Sequence, residues 1–178
     1  MSLVSYNELC EFVERGIISG VDMKDVNGTS IDVYLAPVIK QERNDGKVLR
    51  LRDKEAMNTA EVRFHGHYYD MVPQEFILAS TREKFYLPAD ITAEFRLNSS
   101  SARSGLDHAL AVWCDPWWTD STLTLELKNI TRYHTLRLDD GVRIGQMIFH
   151  KSEPVPQDKG YLVRGRYNGD DGVQGVKS

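Results

Sequence analysis

Three stretches of this chain concentrate side chains with chemistry to offer. The first is Asn98-Ser99-Ser100-Ser101-Ala102-Arg103-Ser104-Gly105, where hydroxyls, backbone amides and a guanidinium crowd together. That mixture suits an anion or an ordered water, because clustered N–H groups and a guanidinium are strong donors. The second is Asp115-Pro116, a carboxylate at the end of a strand-like run, where Asp before Pro ordinarily starts a turn. The third is Glu126, in an alternating Leu and Thr run, with Thr124 and Lys128 on its face. From spacing alone, a solvated polar face accounts for Glu126. His65-Gly66-His67 predicts two imidazoles on one strand face, but no third ligand is identifiable nearby and no metal site is expected. Trp113, Trp117 and Trp118 either stack on a base or fill the core or a subunit interface. Cys10 and Cys114 give neither a disulfide framework nor a CxxC pair, and Cys114 reads as an inert buried thiol. His108, between two of these stretches, reads as structural.

These groups need elements to hold them. Ser5 and Glu8 fit a capping box, Leu9, Phe12 and Val13 make one apolar stripe, and Gly16 is a stop, which predicts a helix over 5–15. Strand patterns dominate afterwards. Ile31, Val33 and Leu35 alternate with polar residues, as do Ile91, Ala93, Phe95 and Leu97, and again Leu123, Leu125 and Leu127 over 122–128. Val142, Ile144, Met147 and Phe149 fall in a further short apolar segment. Turn residues separate the runs at Asn27-Gly28, Asn44-Asp45-Gly46, Pro88-Ala89-Asp90 and Asp139-Asp140-Gly141. Many short strands with regular turns predict an antiparallel sandwich or barrel. Residues 40–74 are charged and irregular, which predicts a long hairpin or loop excursion. From Gly160 onward, Gly165, Gly169, Gly172 and Gly175 argue against a helix or a central strand. That tail is either a frayed terminus or a flap that orders over a ligand.

Composition bounds the partners. The 178 residues suit one domain over 1–178, with a flexible C-terminal flap about 160–178. The net charge of −4 argues against bulk binding to nucleic acid or an acidic membrane. The 41% hydrophobic and 27% charged fractions are those of a globular chain rather than a disordered one. No apolar run approaches ~18 residues, so no membrane span is expected. Glu8, Glu11 and Glu14 do not suit a signal peptide, and the expectation is a cytoplasmic protein.

The motifs, in their order and spacing, resemble the dCTP deaminase family of the trimeric dUTPase-like superfamily. Asn27-Gly28-Thr29-Ser30-Ile31-Asp32-Val33-Tyr34-Leu35 is similar to its NGxxxDVRL segment. Phe76 to Thr81 and then Leu87-Pro88-Ala89-Asp90 resemble LAxTxE…LPxDL. Ser99 to Gly105 resembles SSxARxG, and Asp115-Pro116 with Leu123 to Leu127 and Asn129 resembles DPGxxGxxTLExxN. Gly141 to Gln146 resembles GMRIGQ, while Tyr161 and Arg166-Tyr167-Asn168-Gly169 resemble the tail with its Tyr and KYxGQ.

The resemblance implies a mainly β subunit, a distorted dUTPase-like β-barrel with an N-terminal helix, assembled as a homotrimer with active sites between subunits. It implies zinc-independent hydrolytic deamination of dCTP, or a base-modified dCTP, to dUTP and ammonia. Mg²⁺ would be bound through the triphosphate, with no protein side chain as metal ligand. Zinc deaminases need HxE and PCxxC. Neither occurs here, so a carboxylate would activate the water. By resemblance Glu126 is that base, Ser99 and Arg103 orient water and the charged site, and the carbonyl of Ala111 helps hold the water. Asp115 would accept the 3′-OH. Ser100, Ser101 and Arg103 would donate to phosphates, with Asn98 and Ala102 in the same nucleotide-binding stretch. Thr124 and Leu125 would present backbone groups to the base, and Tyr161, Arg166 and Asp170 belong to the tail that meets the nucleotide. Two alternatives stay open: a bifunctional enzyme that also hydrolyses dUTP to dUMP and pyrophosphate, and a non-catalytic nucleotide-sensing or partner-binding homologue.

Several positions depart from the family pattern. Asn98 stands where Arg is common, and Asp170 replaces Gln, so positive charge near a triphosphate is removed or opposed. Arg166 replaces Lys. Trp117 follows Asp115-Pro116 in place of Gly, and a second glycine of that turn is replaced near Asp120.

Overall fold

The computed structural model describes residues 2–177. The first half contains β1 (Ser2–Leu3), α1 (Tyr6–Glu14), β2 (Ile18–Ser19), β3 (Ile31–Tyr34), β4 (Val38–Glu42), β5 (Thr59–Arg63), β6 (Tyr68–Met71) and β7 (Phe76–Tyr86). The second half contains β8 (Ile91–Leu97), α2 (Ser99–Arg103), β9 (Leu106–His108), β10 (Trp113–Cys114), β11 (Thr119–Asn129), β12 (Leu136–Asp139), β13 (Arg143–Lys151) and α3 (Tyr161–Arg164). One sheet runs β1-β13-β8-β10, with β3 also on β13. The second runs β5-β4-β7-β11-β9, with β2 also on β7, and β6 with β12 forms a separate ribbon.

The mainly β class and the N-terminal helix match expectation. The sheets are not closed into a barrel, however. β3 ends at Tyr34, and the chain then reaches the second sheet through an isolated Leu35–Thr81 bridge and the bond from Ala36 N to Ser80 O, 2.9 Å. Among the described residues, one isolated bridge joins the sheets where a barrel needs a continuous ladder. Both sheets contribute to one buried cluster: Ile31, Phe95, Met147 and Phe149 from the first meet Ile77, Phe85 and Leu125 from the second.

α1 buries Leu9 and Phe12, and Phe12 meets Phe149 edge-on at 5.5 Å. The capping box does not form. Ser5 occupies the N-cap with extended backbone but makes no side-chain cap bond. The Glu8 carboxylate instead takes Lys151 Nζ of β13 at 2.7 Å. Gly16, at φ +70°, ends the helix as expected.

The apolar parity change between Ile144 and Met147 has a local cause. A register shift between Arg143 and Gly145 relative to β3 re-aims the rest of β13. The long hairpin expected over 40–74 is shorter than that span: β4 pairs with β5 from Val38↔Arg63 to Glu42↔Thr59 around an exposed loop, while β6 leaves it to pair with β12. His65 and His67 do not share a strand face. His67 lies at φ +72° in the turn joining β5 to β6, while His65 bridges Tyr68.

Candidate active site

β11 carries the site. Its Leu123, Leu125 and Leu127 are buried, which turns Thr124, Glu126 and Lys128 to the opposite face. Glu126 is not solvated as a surface acid would be: its side chain keeps only 27% exposure. Burial pushes its pKa up from the ordinary carboxylate value. Arg103 does not act on it within this chain. Its Oε2 is buried without a hydrogen-bond partner.

His108, read from the sequence as structural, is buried and also stands beside Glu126, a proximity the sequence did not show. It pairs with Leu127 across β9 and β11, and its Nε2 stands 3.4 Å from Glu126 Oε2. Its Nδ1 accepts the Leu110 backbone N–H at 3.0 Å, which leaves the ring proton on Nε2, facing Glu126. Burial lowers the His108 pKa to about 4, so the ring is neutral near pH 7. The contact is therefore a neutral N–H beside a carboxylate, misaligned for a full hydrogen bond, and no ion pair. No motif announces this, because it arises from strand register.

The loop after β9 runs alongside. Ala109 N donates to Glu126 O at 3.1 Å, and Leu110 takes φ +57°. Ala111 is exposed, and its carbonyl accepts Trp113 N at 3.2 Å. Trp113 Nε1 donates to Asp115 Oδ1 at 3.1 Å, which fixes one carboxylate oxygen of Asp115 and leaves the other without a partner among the described residues.

α2 holds the serine stretch. Asn98 is its cap: Oδ1 accepts Ser101 N at 2.8 Å and Nδ2 donates to Arg143 O at 2.7 Å. That local task accounts for an amide where the family has Arg. Ser99, Ser100, Ala102 and Arg103 are exposed and Ser101 is partly buried. Among the described residues, Ser99 and Arg103 make no hydrogen bond or ion pair with Glu126.

The replaced glycines lie where glycine is favoured. Trp117 has φ +70° and Asp120 φ +47°, both left-handed. Trp117 is held by Nε1 donating to Val155 O at 2.8 Å, and Asp120 Oδ1 accepts Tyr86 Oη at 3.2 Å. Trp118 is buried and stacks on Phe85 at 5.3 Å. Burial pushes the Cys114 thiol pKa up, as an inert core thiol requires.

The tail holds a helix after all, the single turn α3. Beyond it the chain follows β11. Trp118 Nε1 donates to Tyr167 O at 2.7 Å and Thr122 N donates to Asp170 O at 2.9 Å. Gln174 N donates to Thr124 Oγ1 at 3.1 Å. Gln174 thus brings the tail beside Thr124, on the face that carries Glu126, before Lys177 N turns back to donate to Tyr167 Oη at 3.4 Å. Arg166 Nη1 donates to Lys177 O at 3.0 Å, and the Asp170 carboxylate pairs with Lys177 Nζ. Thr124 and Leu125 stand opposite Ser80 and Ala79 of β7. Asp115 and Tyr161 meet at a cleft of about 370 Å³, lined also by Pro116, Val155, Lys159 and Arg164.

A family model described as dCTP deaminase-like matches residues 4–152. The chain belongs to that family. The dCTP deaminase, dUMP-forming, of Corynebacterium glutamicum (strain R) is 35% identical over 179 aligned positions, covering 96% of this chain and 93% of that one. The protein so named from Methanoregula boonei is 32% identical over 165 positions, covering 89% and 88%. The crystal structure of 2′-deoxycytidine 5′-triphosphate deaminase from Agrobacterium tumefaciens matches with a TM-score of 0.66 at 19% identity. That match covers 84% of this chain and 48% of the other, and it establishes a common fold. Within this dCTP deaminase-like chain, the structure gathers Glu126, Thr124 and the Ala111 loop around β11, and Asp115 with Tyr161 at the cleft. Among the described residues, Ser99 and Arg103 on α2 share no hydrogen bond or ion pair with Glu126, and neither lines the cleft. No helix among the described residues is long and apolar enough to cross a membrane.

Proposed function

We propose that the protein hydrolytically deaminates dCTP, with Glu126 as general base. The carrying observation is a partly buried carboxylate whose pKa is raised and whose Oε2 has no bonded partner, on the face of β11 opposite its buried leucines. The raised pKa suits a base working closer to neutrality than an ordinary surface acid.

In this reading Glu126 takes a proton from water as the oxygen attacks C4 of cytosine. The carboxyl returns that proton to N3, giving a tetrahedral centre. The second proton of the former water then passes through Glu126 to the amine, the C4–N bond breaks, and ammonia leaves with a carbonyl at C4. The balance is dCTP plus water to dUTP plus ammonia. The Ala111 carbonyl is the acceptor that aims the water, and the open Asp115 oxygen accepts the 3′-OH. The cleft's lining has one carboxylate and two cations, so Mg²⁺ enters as part of the substrate, on the triphosphate.

Ser99 and Arg103 complete the site from a neighbouring subunit of a homotrimer. Their exposure on α2, with no bond to Glu126, supports that arrangement. The tail from about 160 serves as a flap over the bound nucleotide, supported by its course along β11 to Thr124. The relatives' name, dUMP-forming, favours a second product: the same chain would hydrolyse its dUTP to dUMP and pyrophosphate.

The test is product analysis with Mg–dCTP and Mg–dUTP, reading ammonia and separating nucleotides by chromatography. Ammonia with dUTP supports deamination alone, and ammonia with dUMP and pyrophosphate supports both steps. No ammonia from dCTP overturns the proposal.

A further inference from the structure

Two cations in the Asp115 cleft have no role so far. Lys159 and Arg164 line it together with Asp115 and Tyr161. A bound triphosphate needs counter-charge close to its oxygens. The tail groups that the family resemblance points to are engaged otherwise: Arg166 donates to the Lys177 carbonyl, and Asp170 brings an acid paired with Lys177. Asn98, standing where Arg is common, has both ends of its amide occupied at the α2 cap. Lys159 and Arg164 are available. The Lys159 contact with Asp158 at 2.8 Å joins exposed groups and is worth little. Arg164 has no ion pair among the described residues.

The segment that bears these cations is fixed by the residue that departs from the family turn. Trp117 donates its indole N–H to Val155 O at 2.8 Å. Its ring lies under Gly160, where a Cβ would come within 2.1 Å of it. Tyr161 N donates to Pro116 O at 2.9 Å. Gly165 rests on the Tyr161 ring, where a Cβ would again come within 2.1 Å. Residues 155–165 are thereby tied to the turn that presents Asp115, and side chains larger than glycine are excluded at both contacts. A left-handed tryptophan is an unfavourable way to build a turn. Its indole contacts explain what it does there: it anchors the cationic segment beside the acid.

We propose that Lys159 and Arg164 are further phosphate-binding cations of this chain, acting beside the Arg103 of a neighbouring subunit and holding the polyphosphate of a nucleotide whose sugar hydroxyl reaches Asp115. The assignment rests on the dCTP reading of the site for the nucleotide, and on the cleft itself for the anion. Trp117 is a positioning residue in this account.

The experiment compares wild type with the double variant Lys159→Gln/Arg164→Gln. Both side chains are exposed, so folding is preserved, and thermal unfolding checks this. Calorimetry with inorganic triphosphate gives Kd, and ammonia release gives KM and kcat for Mg–dCTP. The expected result is a Kd for triphosphate and a KM for dCTP each raised about tenfold, with kcat within about twofold. The double variant should also flatten the salt dependence of KM. An unchanged Kd for triphosphate overturns the assignment, as does an unchanged KM for dCTP. A wild-type protein that releases no ammonia from dCTP defeats the deaminase reading instead, and the triphosphate calorimetry still decides for or against the two cations.

Discussion

Glu83 on β7 and Glu126 on β11 are acids on neighbouring strands, and burial raises the pKa of both. Their surroundings differ. Glu83 is 1% exposed, its Oε2 accepts Tyr34 N at 3.1 Å, and its pKa is pushed up to about 7. Tyr34 in turn donates its hydroxyl to Asp25 at 2.6 Å, so Glu83 belongs to a polar tie between β3 and β7. Glu126 retains 27% side-chain exposure and faces a neutral N–H from His108. A raised pKa therefore does not by itself mark a catalyst. The sealed acid can only set how stability varies with pH. The open one can meet water and substrate.

The largest expected effect separates the two acids by activity. Glu126→Gln keeps the shape and removes the base, so kcat for ammonia release from dCTP should fall ~10²–10⁴-fold. Nucleotide Kd by calorimetry should stay within a few-fold. Glu83→Gln should leave kcat within a few-fold, and a comparable collapse there would erase the distinction.

The next effect is on stability. With a folded pKa near 7, Glu83 keeps its proton in the fold to higher pH than in the unfolded chain. The native state binds more protons between about pH 4.5 and 7, so stability falls as pH rises through that window. The loss amounts to up to about 3 kcal/mol. Urea unfolding of wild type at pH 5 and pH 8 should show that loss, and Glu83→Gln should remove most of it. A wild-type stability equal at both pH values contradicts the sealed-acid picture.

His108→Phe sharpens the other side of the comparison. The replacement keeps bulk against Phe95, whose ring lies 5.0 Å away, and deletes the N–H beside Glu126. The ionised form of Glu126 loses a favourable dipole, so the acid limb of the kcat/KM profile should move to higher pH. An unmoved limb would make His108 a packing residue only.

The smallest effect lies away from both acids. Asp120→Gly relieves a left-handed non-glycine at φ +47° and forfeits the Tyr86 hydroxyl contact and an exposed ion pair with Lys84. These terms nearly offset, leaving a net gain under about 1 kcal/mol and a Tm rise of about 1–3 °C. A clear drop in Tm would show that the side-chain contacts outweigh the backbone strain.

What the sequence made legible follows from how far each signal travels along the chain. β11 was readable because Leu123, Leu125 and Leu127 alternate locally, and α1 because its stripe and Gly16 are local too. The Ser5–Glu8 cap failed because Lys151, remote in sequence, claims the Glu8 carboxylate. The parity change in β13 needed a bulge against β3 that no local pattern encodes. In the site, Glu126, Asp115 and Tyr161 entered through family motifs rather than through spacing. His108 escaped because its role depends on pairing with Leu127. The glycine replacements at Trp117 and Asp120 were visible as departures, but their positive φ values and the Val155 and Gly160 contacts of Trp117 were not. Asn98 likewise looked like a lost charge until its bonds to Ser101 and Arg143 showed a helix cap.

The most direct measurement is the pH profile of kcat/KM for dCTP in wild type and Glu83→Gln, read by ammonia release. If Glu126 is the base, both proteins share one acid limb, set by Glu126 at a pKa above the ordinary carboxylate value. Activity is lost as pH falls through that limb, because the base becomes protonated. An acid limb that shifts or disappears in Glu83→Gln would contradict the account and move the base to the sealed acid.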